Sequence, residues 1–383
     1  MISQVGCAGR ATPARQDGRT YTVRLAPERP VEEEGTTREA MTPSRVRHKT
    51  TVILLAILAV GIAAWAIYAY GGGHPVLTHS ARQASGAAPT GRDKLQCAPD
   101  PHMCGYPDST NTGVPAGTVL RKVPQQITKG YGWYWDPRGW IVADQPGAVI
   151  RDISVNATIS VNAPNVTIVD SYIDCVSRCY FDVIIRTAAT GAEANANNVV
   201  IEDSTITDTT RTSEVGISAE GLRNTRVLRD NISGEGAGIL FAGGSGLIED
   251  TYIHDLATCC GFHNEDFQTL SGGDVVLEYN TLFNQNDQTS DIQITQDFGR
   301  QESVTVNDNL LAGGGYSIYG GDTGEGYTGP ATGIRITDNR LSSLFFGNCG
   351  YFGWLTDFNR PLGAGNVLSG NYWDATGTLA RLP

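Results

Sequence analysis

HNEDFQTLSGGDVVLEYNTLFNQNDQTSDIQIT, running from His263 to Thr295, carries two copies of one pattern. Asp266-Phe267-Gln268 and Asp291-Ile292-Gln293 stand twenty-five residues apart, each with an apolar residue between two polar ones. In an extended strand successive side chains point to opposite faces, so Phe267 and Ile292 share one face and the aspartates and glutamines share the other. If the two strands are neighbouring rungs of a parallel sheet, Asp266 lies roughly 4.8 Å from Asp291, with Gln268 beside Gln293. The expectation is a polar ledge facing solvent.

Outward from this stretch the chain repeats. The phrase apolar-x-Asp-(Ser/Asn/Thr)-x-apolar occurs as IVDSYI from Ile168, IEDSTI from Ile201, IEDTYI from Ile248, VNDNLL from Val306 and ITDNRL from Ile336. VLRDNI from Val227, LEYNTL from Leu277 and LSGNYW from Leu368 keep most of it. The starts are separated by 33, 26, 21, 29, 29, 30 and 32 residues. Periods of this size mark a repeat architecture in which each unit buries its apolar face against its neighbours. The phrases are short, β-branched and divided by Gly, Asn and Asp turns, which makes them strands.

A second phrase follows each first one: DVIIRT, EVGISA, GAGILF, EDFQTL, SDIQIT and YSIYGG. Two or three strands per turn, wound with a constant hand, make a solenoid whose sheets run along its length. Ser171, Ser204, Thr251, Asn280, Asn309, Asn339 and Asn371 recur at one place in the repeat. Stacked at a tight turn, they can hydrogen-bond rung to rung and belong to the scaffold.

On these phrases and the asparagine column, the sequence from about Val123 to the C-terminus resembles the right-handed parallel β-helix proteins, the superfamily of pectate lyases and related polysaccharide-acting enzymes. The resemblance implies an all-β, right-handed parallel β-helix solenoid over residues 121–383, and a polysaccharide or cell-wall glycan as partner. Fold alone does not assign an activity.

The preceding sequence adds a membrane segment. Thr51 to Tyr70 is uncharged for twenty residues, enough for a single transmembrane helix across a roughly 30 Å hydrocarbon core. Arg45, Arg47, His48 and Lys49 precede it, which places residues 1–50 in the cytoplasm and the C-terminal domain outside. The expected protein is single-pass in the cell membrane, with secretion after cleavage of a signal as the alternative. Residues 1–50 read as a tail without apolar periodicity, and 71–120 as a linker and lead-in. Nine basic and six acidic residues precede Thr50, leaving 19 basic against 34 acidic beyond it. A domain that acidic repels nucleic acid.

Of eight cysteines, Cys7 lies on the reducing side and seven outside. Cys97 with Cys104, and Cys175 with Cys179, are close enough to close small loops; Cys259 and Cys260 are adjacent, Cys349 stands alone, and the connectivity stays open. The spacings lack the paired Cys-x-x-Cys pattern of a zinc site. The aromatic run GWYWDPRGW at Gly132–Trp140 fits a cover for an open core end better than a sugar platform.

Aligned on Ile185, Ile217, Ile239, Phe267, Ile292 and Ile318, the second phrases concentrate candidate chemistry in two adjoining rungs. Asp266 and Asp291 are the candidate catalytic carboxylates, because like charges at strand spacing push one pKa up and leave an acid beside an ionised partner. A separation near 5 Å is also that of a retaining glycosidase's acid and nucleophile. The same pair could instead hold Ca²⁺. The resemblance implies a basic residue that removes a proton beside a uronate carboxylate, yet the four lysines, Lys49, Lys94, Lys122 and Lys129, all precede the later rungs. His263 or Arg300 would then be the base. Gln268, Gln293 and Tyr319 are the candidate sugar contacts, with Trp354 a further aromatic near the groove. Polysaccharide cleavage, by elimination before hydrolysis on the resemblance, and non-catalytic glycan binding are the two readings.

Overall fold

The structure, a computed structural model, describes residues 96–176, 179–186, 195–322, 326–359 and 364–382. The expected tail, the segment at residues 51–70 and residues 71–95 of the linker and lead-in lie outside them. Among the described residues no helix is long and apolar enough to cross a membrane.

The domain is all-β, with parallel strands stacked coil on coil in the manner of a β-helix-like solenoid. The phrase repeat sets the register: Ile150, Ile168, Ile201, Val227, Ile248, Leu277, Val306, Ile336 and Leu368 pair in succession. All but Leu368 are fully buried in one continuous core. Each such side chain contributes roughly 1.5–3 kcal/mol on leaving water.

The polar part of the phrase turns the chain. Asp170, Asp203, Asp250, Asp308 and Asp338 have φ between 49° and 56°, a left-handed conformation that Asp and Asn tolerate best among residues with a side chain. The next residue turns its side chain inward and builds a ladder. Asn309 Oδ1 accepts from the Asn280 amide at 3.0 Å, while Asn309 Nδ2 donates to the Leu277 carbonyl at 3.0 Å. Asn339 and Asn371 repeat this upward, and Ser204, Asp230 and Thr251 carry it downward through their own oxygens.

A full coil contributes three strands, as in Glu265–Thr269, Gly272–Glu278 and Thr281–Asn284. The third kind stacks into a ten-stranded sheet. The first two join in an eighteen-stranded sheet, because Val215–Leu228 and Ala237–Glu249 run through both without a break. The register of those two long strands shifts between Ala219 and Thr225, where the wall bends.

The aromatic run closes the first coil. Trp133–Asp136 pairs antiparallel with Trp140–Ala143, and Trp133 is buried on the core. The lead-in packs against the ten-stranded sheet: Cys97, Cys104 and Tyr106 bury themselves with Phe283, Leu310 and Ala312. Asp374 accepts from the amides of Cys97 (2.8 Å) and Ala98 (3.2 Å) and pairs at 3.4 Å with the fully buried guanidinium of Arg340. Cys97 pairs with Cys104, Cys175 with Cys179 and Cys259 with Cys260, and among the described residues Cys349 is a buried free thiol.

Candidate functional site

Asp266 and Asp291 occupy the same position on neighbouring coils, bracketed by the pairs Glu265↔Ser290 and Phe267↔Ile292. Their expected exposure is overturned: both are 0 % exposed. The reason lies at the corner where the chain leaves the ten-stranded sheet. Strict alternation fails there, so consecutive residues, the aspartate and the apolar residue after it, both lie inside. The glycines at this position show the direction, since a Cβ on Gly216 would meet Ile232 and one on Gly238 would meet Ile253, both core residues of the ten-stranded sheet.

The register also corrects the first rung. Val183, not Ile185, pairs with Ile217, so the inward column reads Asp182, Gly216, Gly238, Asp266, Asp291, Ser317. Ile184 therefore stands in register with Ser218, Leu240 and Gln268.

The inward acids are only partly satisfied. Neither oxygen of Asp266 has a hydrogen bond; Asp291 Oδ1 accepts from the Asn284 amide at 3.3 Å and Oδ2 from nothing. Burial holds the Asp266 pKa well above the carboxylate range, and the charges of Asp291 and Glu265 push it further. Asp291 is raised by burial, against the opposing Asn284 amide and Ser317 hydroxyl. Burial and mutual repulsion therefore favour the protonated form of the pair. Among the described residues, the one group of three metal-type ligands within 4.8 Å is Cys175, Cys179 and Asp182.

The two candidate bases stand elsewhere. His263 is exposed on the loop before Glu265, outside the wall that encloses the aspartates. Arg300 pairs with Glu302 at 2.7 Å and donates to Thr332 Oγ1 at 3.1 Å, as a surface charge does. The expected constellation of His263, Arg300, Asp266 and Asp291 does not meet at one surface.

The two glutamines stand side by side as expected. Leu240, Gln268, Gln293, Tyr319 and Thr356 stand in register, and Gln268 Nε2 donates to Gln293 Oε1. All five are partly exposed. Tyr319 meets Tyr316 edge-to-face at 5.9 Å, Tyr316 lies 5.7 Å from Phe352, and Phe352 meets Tyr351 at 4.9 Å. Phe352, 64 % exposed, leads into a pocket of about 480 Å³ lined by Asn348, Trp354, Trp373, Leu379 and Arg381 among others. Trp354 is almost wholly buried and donates through Nε1 to the Arg381 carbonyl at 3.0 Å, so it presents only an edge.

Carboxylates flank this strip. Burial raises the Tyr319 hydroxyl pKa first, and Asp357, Tyr316 and Glu265 add to it. Asp357 is raised by burial and then by Asp322. Glu265 is pushed up to about 8 by burial, with a Thr289 hydrogen bond opposing and Glu214 adding. Tyr316, Phe352 and Glu265 were missed in the sequence because their significance is positional: Tyr316 and Phe352 meet only when two coils stack. The YSIY spacing, two tyrosines three apart across the corner, was the signal available. No protein-family profile, curated protein or solved structure matches this chain.

Proposed function

We propose that this domain is a carbohydrate-binding solenoid of the right-handed, pectate-lyase-like β-helix type, exported and held at the cell membrane through the segment at residues 51–70. It grips a polysaccharide lengthwise along Gln268, Gln293, Tyr319, Tyr316 and Phe352. The observation that carries this reading is the run of Gln268, Gln293 and Tyr319 along one outward register of parallel strands, with the Tyr316 and Phe352 rings beside it. Amide groups match sugar hydroxyls as donors and acceptors, and aromatic faces match the apolar faces of pyranose rings. A solenoid wall presents such contacts at a regular rise of roughly 4.8 Å per coil, which suits an extended chain ligand.

Binding is the better-supported reading than cleavage, because the two aspartates meant to cleave are enclosed by the wall and share no surface with His263. The test is a panel of neutral and uronate glycans presented to the full-length protein, following binding by calorimetry alongside reducing ends and unsaturated products. The expected result is binding without product, weakened about tenfold by Tyr319→Ala, a loss of roughly 1.4 kcal/mol. Absence of binding across the panel defeats the proposal. Product that disappears in Asp266→Asn/Asp291→Asn returns the catalytic reading.

A further inference from the structure

The strip along Gln268, Gln293 and Tyr319 has a sign as well as a shape. The strands that carry it, Glu265–Thr269, Ser290–Ile294, Tyr316–Gly320 and Gly353–Thr356, contain no lysine or arginine. Arg300, on the loop after the second of them, is engaged by Glu302 at 2.7 Å, and Arg381 lines the pocket beyond Phe352. Carboxyl groups border the strip on both sides. Glu265 lies three residues before Gln268 on the same strand and is almost fully buried.

On the other side, Asp357 follows Thr356, the residue in register with Tyr319. Parallel neighbours stand roughly 4.8 Å apart, so the Asp357 backbone is one residue past a direct neighbour of Tyr319. The chain turns there: Asp357 has φ 51°, and Phe358 packs where a Cβ on Gly320 would stand. The Asp357 carboxylate is left exposed, with no salt bridge among the described residues. Asp322 lies beside it, donating its amide to the Asp357 carbonyl at 2.9 Å. Asp322 Oδ1 accepts from the Ala331 amide at 3.1 Å, and Oδ2 is buried without a partner. After burial, Asp322 raises the Asp357 pKa, and Asp357 is the first charge acting on the Tyr319 hydroxyl. The rings and the two carboxylates therefore share one negative field.

Such a field beside aromatic faces suits an ammonium group. A carboxylate accepts its N–H donors, and a ring face attracts its charge within about 6 Å. A uronate instead sets a like charge against Asp357 and Asp322 and is repelled. We propose that the glycan held by this strip carries primary ammonium groups, as a hexosamine polymer without N-acetyl groups does, and that one of them is seated between Asp357 and the Tyr319 and Tyr316 rings. The proposal rests on the strip being the glycan-binding face and adds which sugar that face selects. The seat joins two adjoining coils, so one amine of the bound chain occupies it while the hydroxyls of neighbouring sugars meet Gln268 and Gln293.

The test is calorimetry on the full-length protein with three oligomers of matched length: a β-linked glucosamine, its N-acetylated counterpart and a uronate, at mildly acidic pH where the amines hold protons. The expected result is that the glucosamine oligomer binds about tenfold tighter than the acetylated one, that the uronate binds weakest, and that added salt narrows both gaps. Asp357→Asn, which asparagine's tolerance of the left-handed turn permits, brings the glucosamine oligomer down to the affinity of the acetylated one. Asp274→Asn removes an exposed charge at an equivalent turn, φ 56°, on the neighbouring strand Gly272–Glu278 and keeps the gap. The ammonium seat is overturned, with the strip left standing, if the two glucosamine forms bind equally, if the gap survives Asp357→Asn or vanishes in Asp274→Asn, or if the uronate binds as tightly as the acetylated oligomer. Failure of all three oligomers to bind removes the strip and the seat together.

Discussion

The ten-stranded sheet is bounded by two polar columns that differ in one respect. At the edge where the chain enters it, Asn280, Asn309, Asn339 and Asn371 are fully or almost fully buried and hydrogen-bonded to coils on either side. At the edge where the chain leaves it, Asp182, Asp266 and Asp291 are equally buried and largely unpartnered. An amide has both donor and acceptor, so a stack of amides satisfies itself; a stack of carboxylates has acceptors only and needs protons or a cation from outside. The first column stabilises the solenoid without conditions. The second makes stability depend on what the solvent supplies.

The largest expected effect tests the first column. Asn309→Ala leaves the Asn280 amide and the Leu277 carbonyl buried without partners; at 1–3 kcal/mol for each orphaned group, the loss is about 4 kcal/mol, read by denaturant unfolding. A loss under about 1 kcal/mol would mean that the ladder follows the fold rather than holding it.

Next comes the pH dependence of the buried acids at the edge where the chain leaves the ten-stranded sheet. Asp182 rises from 3.8 to about 7 and Glu265 from 4.5 to about 8 on folding, both chiefly through burial. A folded-state pKa above the unfolded value favours the protonated native form. The associated stability is therefore complete below the ordinary carboxylate range near 4 and is lost as pH rises through about 7 to 8. Thermal unfolding midpoints should fall steadily across that window, and Asp266→Asn/Asp291→Asn should make the decline shallower. A midpoint that climbs over the same range contradicts the protonated column.

A smaller effect separates the inner face of the wall from its outer face. Tyr319→Ala removes a half-exposed ring from the strip, so the unfolding midpoint stays within about 2 °C while glycan affinity falls about tenfold. The smallest is Gln293→Ala, which removes one side of the Gln268 amide pair; glycan affinity should drop about threefold to tenfold, in line with one hydrogen bond between partly solvated groups.

Much of the solenoid was legible in advance. The Ile168 to Leu368 phrases gave the register of one wall and the ladder beside it, because left-handed Asp, ladder Asn and flanking Ile are local requirements repeated in every coil. In VLRDNI the ladder position falls to Asp230, and an arginine stands at the turn in place of the usual aspartate. The second phrases were less readable. DVIIRT contains three consecutive apolar residues, which allow two alignments, and only hydrogen-bonded pairing of Val183 with Ile217 chooses between them.

The chain by itself determined an all-β repeat with its turns, its inward aliphatic stack and its amide ladder, since each is written in residues close together and echoed coil after coil. Which way Asp266 and Asp291 point, and which acids and sulfurs meet, was decided by the tertiary structure. A corner admits two consecutive residues to the interior, which a period-two reading cannot represent. The approach of Glu235 to Asp182 depends on Gly216 in the coil between them, where a Cβ would stand 3.5 Å from the Glu235 carboxyl carbon, an empty space that exists only once the coils are stacked.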